Sequence, residues 1–236
     1  MNAQNTFRSS INWMQLSIRL LMLGLLFPLL LFLSAGRLDW WQGWLYVVLA
    51  VSITVIGRLM VIYKFPDLLE ERKSAMDKEN AKSWDKMLVF LMAVVAPFTQ
   101  LIVAGFDFRW HGSPDFPLWV ELLGAVMVII GYLFATWAMM TNQFFSSTVR
   151  IQTERGHHVI QTGPYSVVRH PGYSGSLIGT LGISLLLGSL WSFIPFIVMA
   201  VVVFVRAQKE DDTLQAELEG YREYTQKTRY RLIPGI

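Results

Sequence analysis

The chain predicts an all-α fold: a polytopic membrane helical bundle of four spans followed by a C-terminal helical hairpin. Three observations carry this. Of its 236 residues 53% are hydrophobic and only 16% charged, against roughly 25% charged in an ordinary soluble domain. The apolar residues gather into runs of bilayer length, about 20 residues. And 17 of the 20 Lys and Arg fall in segments that the alternation of spans places on one side, the bias expected of cytoplasmic loops.

Each span follows in order. Residues 16–35, 41–63, 87–106 and 118–141 are the four long apolar runs. The first is not followed by a small-residue cleavage site and soluble domain, so no cleavable signal peptide is expected. With the N-terminus in the cytoplasm, the outer loops hold only Arg37 and Arg109. Arg19 and Arg58 lie near inner helix ends, where they can snorkel to the headgroups. Trp40, Trp41, Trp44, Trp110, Trp119 and Trp191 fall near the outer boundary, and Trp13, Trp84 and Trp137 near the inner one, as an interfacial belt would. The loop 64–86 balances its acids and bases and reads as a solvated, partly helical connector whose helix starts at Pro66-Asp67.

Residues 173–206 are apolar again but too long for one span. Gly188-Ser189 divides them into two arms and Pro195 adds a second break, so they form a hairpin that returns to its own side. This puts the polar segment 142–172 and the basic tail, with both termini, on the cytoplasmic face. Both polar segments flank the hairpin and together can build a site at the membrane surface. No repeat divides the chain, and one membrane-embedded domain is expected over 1–236, with four spans in 1–141 and the site-bearing segment in 142–236.

Composition also excludes. Without cysteine there are no disulfides or thiolate metal sites. The net charge of +3 is used up by topology, leaving no basic face for nucleic acid. No nucleophile elbow, Walker loop or zinc-protease helix occurs. His157-His158 are adjacent and do not share a helix face, so no metal site is expected.

What remains is GPYSVVRHPGYSG, residues 163–175. Gly163-Pro164, His170-Pro171 and Pro171-Gly172 force a non-helical path, tolerated at membrane depth where it lines a cavity. The glycines permit close approach to a ligand. Arg169 offers a planar fork for a carboxylate and His170 titrates near neutrality. From the residues alone, a ligand site and a structural turn whose Arg meets lipid phosphates are equally supported.

The identities go further. The stretch 155–175, RGHHVIQTGPYSVVRHPGYSG, closely resembles the signature of the isoprenylcysteine carboxyl methyltransferase and phospholipid methyltransferase superfamily, matching its Gly-Pro-Tyr-x-x-Val-Arg-His-Pro-x-Tyr-x-Gly run throughout. Asn142 to Ser146 and Tyr221 to Pro234 are similar to further family segments, and Pro66 to Arg72 to a loop of bacterial members. The resemblance implies an integral-membrane enzyme using S-adenosyl-L-methionine at a cytoplasmic site. It places His158, Val159, Gly163, Pro164, Tyr165, Arg169, His170, Pro171 and Tyr173 around that cofactor. An acidic pair beyond the last hydrophobic helix closes the site; it maps onto Glu210-Asp211, where members usually carry Glu-Glu, so that Glu210 is the better match and the shorter Asp211 departs from the pattern.

These residues suit the chemistry. Arg169 matches the cofactor carboxylate, Glu210 its ammonium or ribose hydroxyls, and His170 the cofactor or Glu210; these three are the catalytic candidates. Tyr165 and Tyr173 offer aromatic surface for adenine or the sulfonium. Glu210, Leu214, Glu217, Tyr221 and Tyr224 share a face if the tail helix continues through Gly220. Glu217, Tyr221, Tyr224 and Arg229, with Asn142 at the mouth of the fourth span, are candidates for contacting the acceptor; Arg229 and Arg231 fit membrane phosphate equally well.

The expected partners are the membrane and a lipid or lipid-modified substrate, best a prenylcysteine-like carboxylate, with a phospholipid amine or a thiol as alternatives. Two readings of another class stand beside it. Membrane sterol reductases share an Arg-x-Pro-x-Tyr-type segment and use NADPH, but carry Asn and Glu where this chain has Gly172 and Ser176. A transporter or scaffold would carry a lone ionisable group deep in a span.

Overall fold

A computed structural model describes residues 13–65, 68, 71–72 and 82–235, with side chains from Gly24 onward. All regular structure among them is helical. Helices α1 (Trp13–Ala35), α2 (Trp41–Lys64), α3 (Ser83–Trp110) and α4 (Leu118–Thr141) match the four long apolar runs. Helices α2, α3 and α4 are long and apolar enough to cross a bilayer. The hairpin follows as α5 (Pro171–Leu186) and α6 (Phe193–Glu217), and a short α7 (Tyr221–Lys227) closes the chain. Leu122, Leu123, Val126, Ile130 and Leu133 of α4 are exposed. On a soluble protein such a stripe would be a large apolar patch; here it is the lipid-facing side.

Glycine sets the tightest contact. A Cβ on Gly131 would lie 2.3 Å from the Gly179 nitrogen, and one on Gly124 equally close to the Leu186 nitrogen. Gly175 and Gly182 meet the carbonyls of Gly131 and Gly124 in return. Helices α4 and α5 therefore pack backbone to backbone, as small residues allow inside a membrane. Gly175 thus serves helix packing, while Gly172 faces the Phe145 ring and lines the cavity described below.

Helix α3 contains a π-turn at Leu91–Val95. Pro97 lacks the N–H that would bond the carbonyl of Ala93, and the helix widens there, as π-bulges do near functional sites.

Four further expectations need correction. Trp40 is interior, 1% exposed and stacked on Phe108 at 4.3 Å, while Trp41, Trp44, Trp110, Trp119, Trp137 and Trp191 are exposed as a belt requires. Pro195 does not break the hairpin; it lies in the first turn of α6, where its missing N–H costs no helical bond. The turn is made by Gly188, with φ of 63°. The tail helix is not continuous: α6 ends at Glu217 and Gly220, at φ of 78°, redirects the chain into α7. Finally, the connector is not solvated throughout: among its described residues Leu68, Glu71 and Asp85 are buried, while Lys64, Ser83 and Lys86 are exposed. The proposed helix start at Pro66-Asp67 lies outside the described residues, as do the side chains of Trp13 and Arg19.

Candidate active site

A cavity of about 350 Å³ opens where the polar segment 142–172, the end of α6 and α7 converge on the first half of α3 and the Thr141 end of α4. This lies within the 300–1,000 Å³ typical of small-molecule sites. The hairpin is what makes it. Helix α6 has 25 residues, about 37 Å at 1.5 Å per residue, so it outruns the 16 residues of α5 and carries its acidic end past the apolar layer.

The motif is anchored to the tail by backbone. The N–H groups of Arg169 and His170 donate to the carbonyls of Tyr230 and Arg231, each at 3.0 Å. Pro171 then opens α5 at a position where no N–H is needed. Tyr224 donates its hydroxyl to the Tyr165 carbonyl at 2.6 Å, and Thr228 reaches the same oxygen at 3.3 Å.

Asp211 is the hub. It is fully buried and accepts from His170 Nε2 at 2.9 Å, the Tyr221 hydroxyl at 2.8 Å and Arg231 Nε at 2.8 Å, with the Arg169 guanidinium at 3.0 Å. Burial alone would raise its pKa, but the hydrogen bonds and charge of His170, followed by the bonds from Arg231 and Tyr221, outweigh that and hold the carboxyl well below the usual range. A carboxylate only accepts, so the proton between it and His170 sits on Nε2. Burial, reinforced by Asp211, drives the Tyr221 phenol strongly up.

Glu210, one residue earlier, does something different. It lines the cavity, is partly exposed, accepts from the Tyr173 hydroxyl at 2.6 Å and sits 3.9 Å from His170 Nδ1. The Tyr173 ring stacks on His170 and lies under the Arg206 guanidinium at 5.3 Å. The two neighbouring acids are thus divided: Asp211 locks the protein together and Glu210 faces the space.

Other expected residues sort by position. His158, Val159, Tyr165, Arg169, His170, Pro171, Tyr173, Asn142, Tyr221 and Tyr224 line the cavity with Glu210. Asn142 also accepts from the Phe144 N–H at 2.8 Å, so it caps the turn after α4. Gly163 and Pro164 form a 3-10 turn outside the lining, with Gly163 at φ of 59° against Thr141. Glu217 turns away to Lys82 at 2.6 Å, because α6 ends there. Arg229 is exposed and off the lining; Arg231 reaches the hub instead. Among the described residues no cluster of His, Asp and Glu has metal-site geometry.

Sequence reasoning missed four contributors. Arg206 makes a two-pronged pair with buried Asp85 at 2.7 and 2.9 Å, and Asp85 also accepts from the Val149 N–H at 2.7 Å. Arg150 pairs equally with buried Glu71 at 2.7 and 2.9 Å. His157 is pushed down to about 4 by burial first and then by His158, Arg150 and Arg155, so a neutral imidazole lines the cavity at pH 7. Arg72 lines it too, over the Phe145 ring at 5.4 Å, and burial with the nearby charges of Arg58 and Arg206 lowers its pKa to about 10. Identical charges crowd the 64–86 loop, and nothing in their spacing distinguishes Glu71, Arg72 and Asp85 from solvated neighbours.

Comparison with known proteins places this site. The family model described as phospholipid methyltransferase matches residues 119–218, which include α4, the motif, the hairpin and both acids. Over that stretch the chain is similar to the phospholipid methyltransferase family. A probable protein-S-isoprenylcysteine O-methyltransferase of Oryza sativa subsp. japonica is 34% identical over 111 residues, 46% of this chain and 58% of the relative. A protein-S-isoprenylcysteine O-methyltransferase of Dictyostelium discoideum is 28% identical over 168 residues, 68% of each chain. A Delta(14)-sterol reductase of Mus musculus is 30% identical over 163 residues, 64% of this chain but 38% of the relative. The matches thus span somewhat over half the length of the rice relative and less of the reductase.

Proposed function

We propose that the protein is a membrane-embedded, S-adenosylmethionine-dependent methyltransferase, a single unit over residues 1–236 with both termini and the cavity on the cytoplasmic side. Its best acceptor is a prenylcysteine-like carboxylate. The observation that carries this is the cavity itself, bounded by the Arg-His-Pro segment and Glu210 inside the stretch that matches the methyltransferase family. The names of the rice and slime-mould relatives supply the acceptor class.

The residues fit the cofactor. Arg169 Nε is buried without a hydrogen-bond partner, an expensive state that a ligand carboxylate at the cavity wall would relieve. Glu210 retains accepting capacity for an ammonium or ribose hydroxyl. Neutral His157 adds no cation opposite a sulfonium. When bound, S-adenosylmethionine supplies an electrophilic methyl: its carbon–sulfur bond breaks as the acceptor bond forms, and the electron pair leaves with sulfur as a neutral thioether.

The protein's part is positioning and exclusion of water. Asp211 fixes the His170 ring through Nε2 and holds Arg169, so both present defined edges to the cavity. Tyr173 holds Glu210 in place. A carboxylate is already ionised at neutral pH, so that transfer needs no general base; a phospholipid amine would first have to lose a proton, and a thiol acceptor its own.

The sterol-reductase relative makes NADPH the competing ligand. Calorimetry on the detergent-purified full chain should show binding of S-adenosylmethionine or its demethylated product and none of NADPH. NADPH binding without the other would establish the reductase reading instead.

A further inference from the structure

Four arginines line the cavity: Arg72, Arg150, Arg169 and Arg206. Three have carboxylates of their own. Arg150 pairs with Glu71 and Glu154, Arg206 with Asp85, and Arg169 with Asp211. Glu210, the remaining acid on the wall, is held by Tyr173. Arg72 is the exception: among the described residues no carboxylate lies within pairing distance of it. Its guanidinium meets Met139 Sδ at 4.0 Å and the Phe145 ring at 5.4 Å, while its carbonyl is fixed by the Ser147 hydroxyl at 3.0 Å.

A partly buried cation among apolar groups, with two more arginines near it, is destabilising unless something anionic comes to it. Its place says what. Arg169 is bound into the tail through Asp211. Arg72 instead borders Met139 near the Thr141 end of α4, in a cavity that Val89 of α3 and Ala93 of its π-turn also line. That is the bilayer side, where an acceptor on a lipid chain would bring its polar end. A planar fork there matches a carboxylate, and positive charge there opposes an ammonium.

We propose that Arg72 binds the carboxylate of the methyl acceptor and so selects an anionic acceptor over an amine. This rests on the methyltransferase reading. The chemistry of the anion is shared with the cofactor's own carboxylate and with a phospholipid phosphate, and the test separates the three.

The test uses the full chain in detergent, with Arg72→Met and Arg72→Lys beside wild type. Affinity for S-adenosylhomocysteine is measured by calorimetry. KM and kcat are measured for N-acetyl-S-farnesylcysteine, and its carboxamide is used as inhibitor. We expect both variants to bind S-adenosylhomocysteine within about twofold of wild type. For Arg72→Met, KM should rise roughly 10- to 100-fold, the loss of one charged hydrogen-bonding pair, and the preference for carboxylate over carboxamide should vanish. Arg72→Lys should recover part of both. Cofactor-product affinity weakened tenfold or more would assign Arg72 to the cofactor and overturn the proposal. An unchanged KM with discrimination retained, or an effect on phosphatidylethanolamine alone, would overturn it too. Wild type that binds no S-adenosylhomocysteine overturns the methyltransferase reading and this proposal together, a result distinct from the others.

Discussion

Asp211→Asn is the perturbation whose size the structure lets one work out. The side chain accepts from His170, Tyr221 and Arg231 and pairs with Arg169, all within 3.0 Å and out of water. Asparagine keeps the shape and one carbonyl oxygen but puts an NH2 group among four donors. Hydrogen bonds to a charged group contribute about 1.5–3 kcal/mol each and neutral ones about 0.5–1.5. Breaking a buried pair costs about 3–5 kcal/mol. Because the four contacts act as one network, their losses do not add, and a total of about 3–5 kcal/mol is expected. For a chain of this size that lowers Tm by roughly 6–20 °C.

The same side chain gives a pH signature. Its folded pKa lies below the model-compound value of 3.8, so its contribution is full well above that value and is lost as pH falls through and below it. Thermal melts of wild type and Asp211→Asn, followed by tryptophan fluorescence in detergent from pH 7 to pH 3, are the assay. Wild type should lose stability toward pH 3 more steeply than the variant. A variant that melts within about 1 °C of wild type at pH 7 would refute the hub.

Other predictions follow from single contacts. Gly131→Ala should abolish recovery of monodisperse protein, because its Cβ would meet the α5 backbone at 2.3 Å, whereas Gly24→Ala, with open space around it, should leave size-exclusion behaviour unchanged. Tyr224→Phe removes the 2.6 Å bond to the Tyr165 carbonyl and should lower stability by about 1–2 kcal/mol in the same melts. His157 is lowered from 6.5 to about 4, so its contribution is present above pH 6.5 and declines as pH falls toward 4; His157→Gln should flatten the melting profile across that window.

The sequence made the framework legible because membranes constrain it strongly. Apolar runs and charge asymmetry located α1 to α4 and the same-side return of the hairpin, and the 163–175 motif pointed to the wall of the cavity. What escaped was set by tertiary pairing. Asp211 departs from the family pattern by one methylene, which suggests a lesser role in sequence; the fold makes it the hub, since Arg169, His170, Tyr221 and Arg231 converge on it from separate segments. Glu71, Arg72 and Asp85 read as solvated loop charges until Arg150 and Arg206 are seen to bury their partners. Gly124, Gly131, Gly175 and Gly182 carry no periodic signal individually, and only the pairing of α4 with α5 shows that they are one interface.

The central claim, that this cavity joins an S-adenosylmethionine site to a carboxylate acceptor from the bilayer, is tested most directly by methyl transfer. Purified protein would be incubated with methyl-labelled S-adenosylmethionine, N-acetyl-S-farnesylcysteine, phosphatidylethanolamine and a small thiol. The account predicts label on the farnesylcysteine as a base-labile ester, released as methanol by alkali. Base-stable label on phosphatidylethanolamine alone, or on the thiol alone, would contradict it.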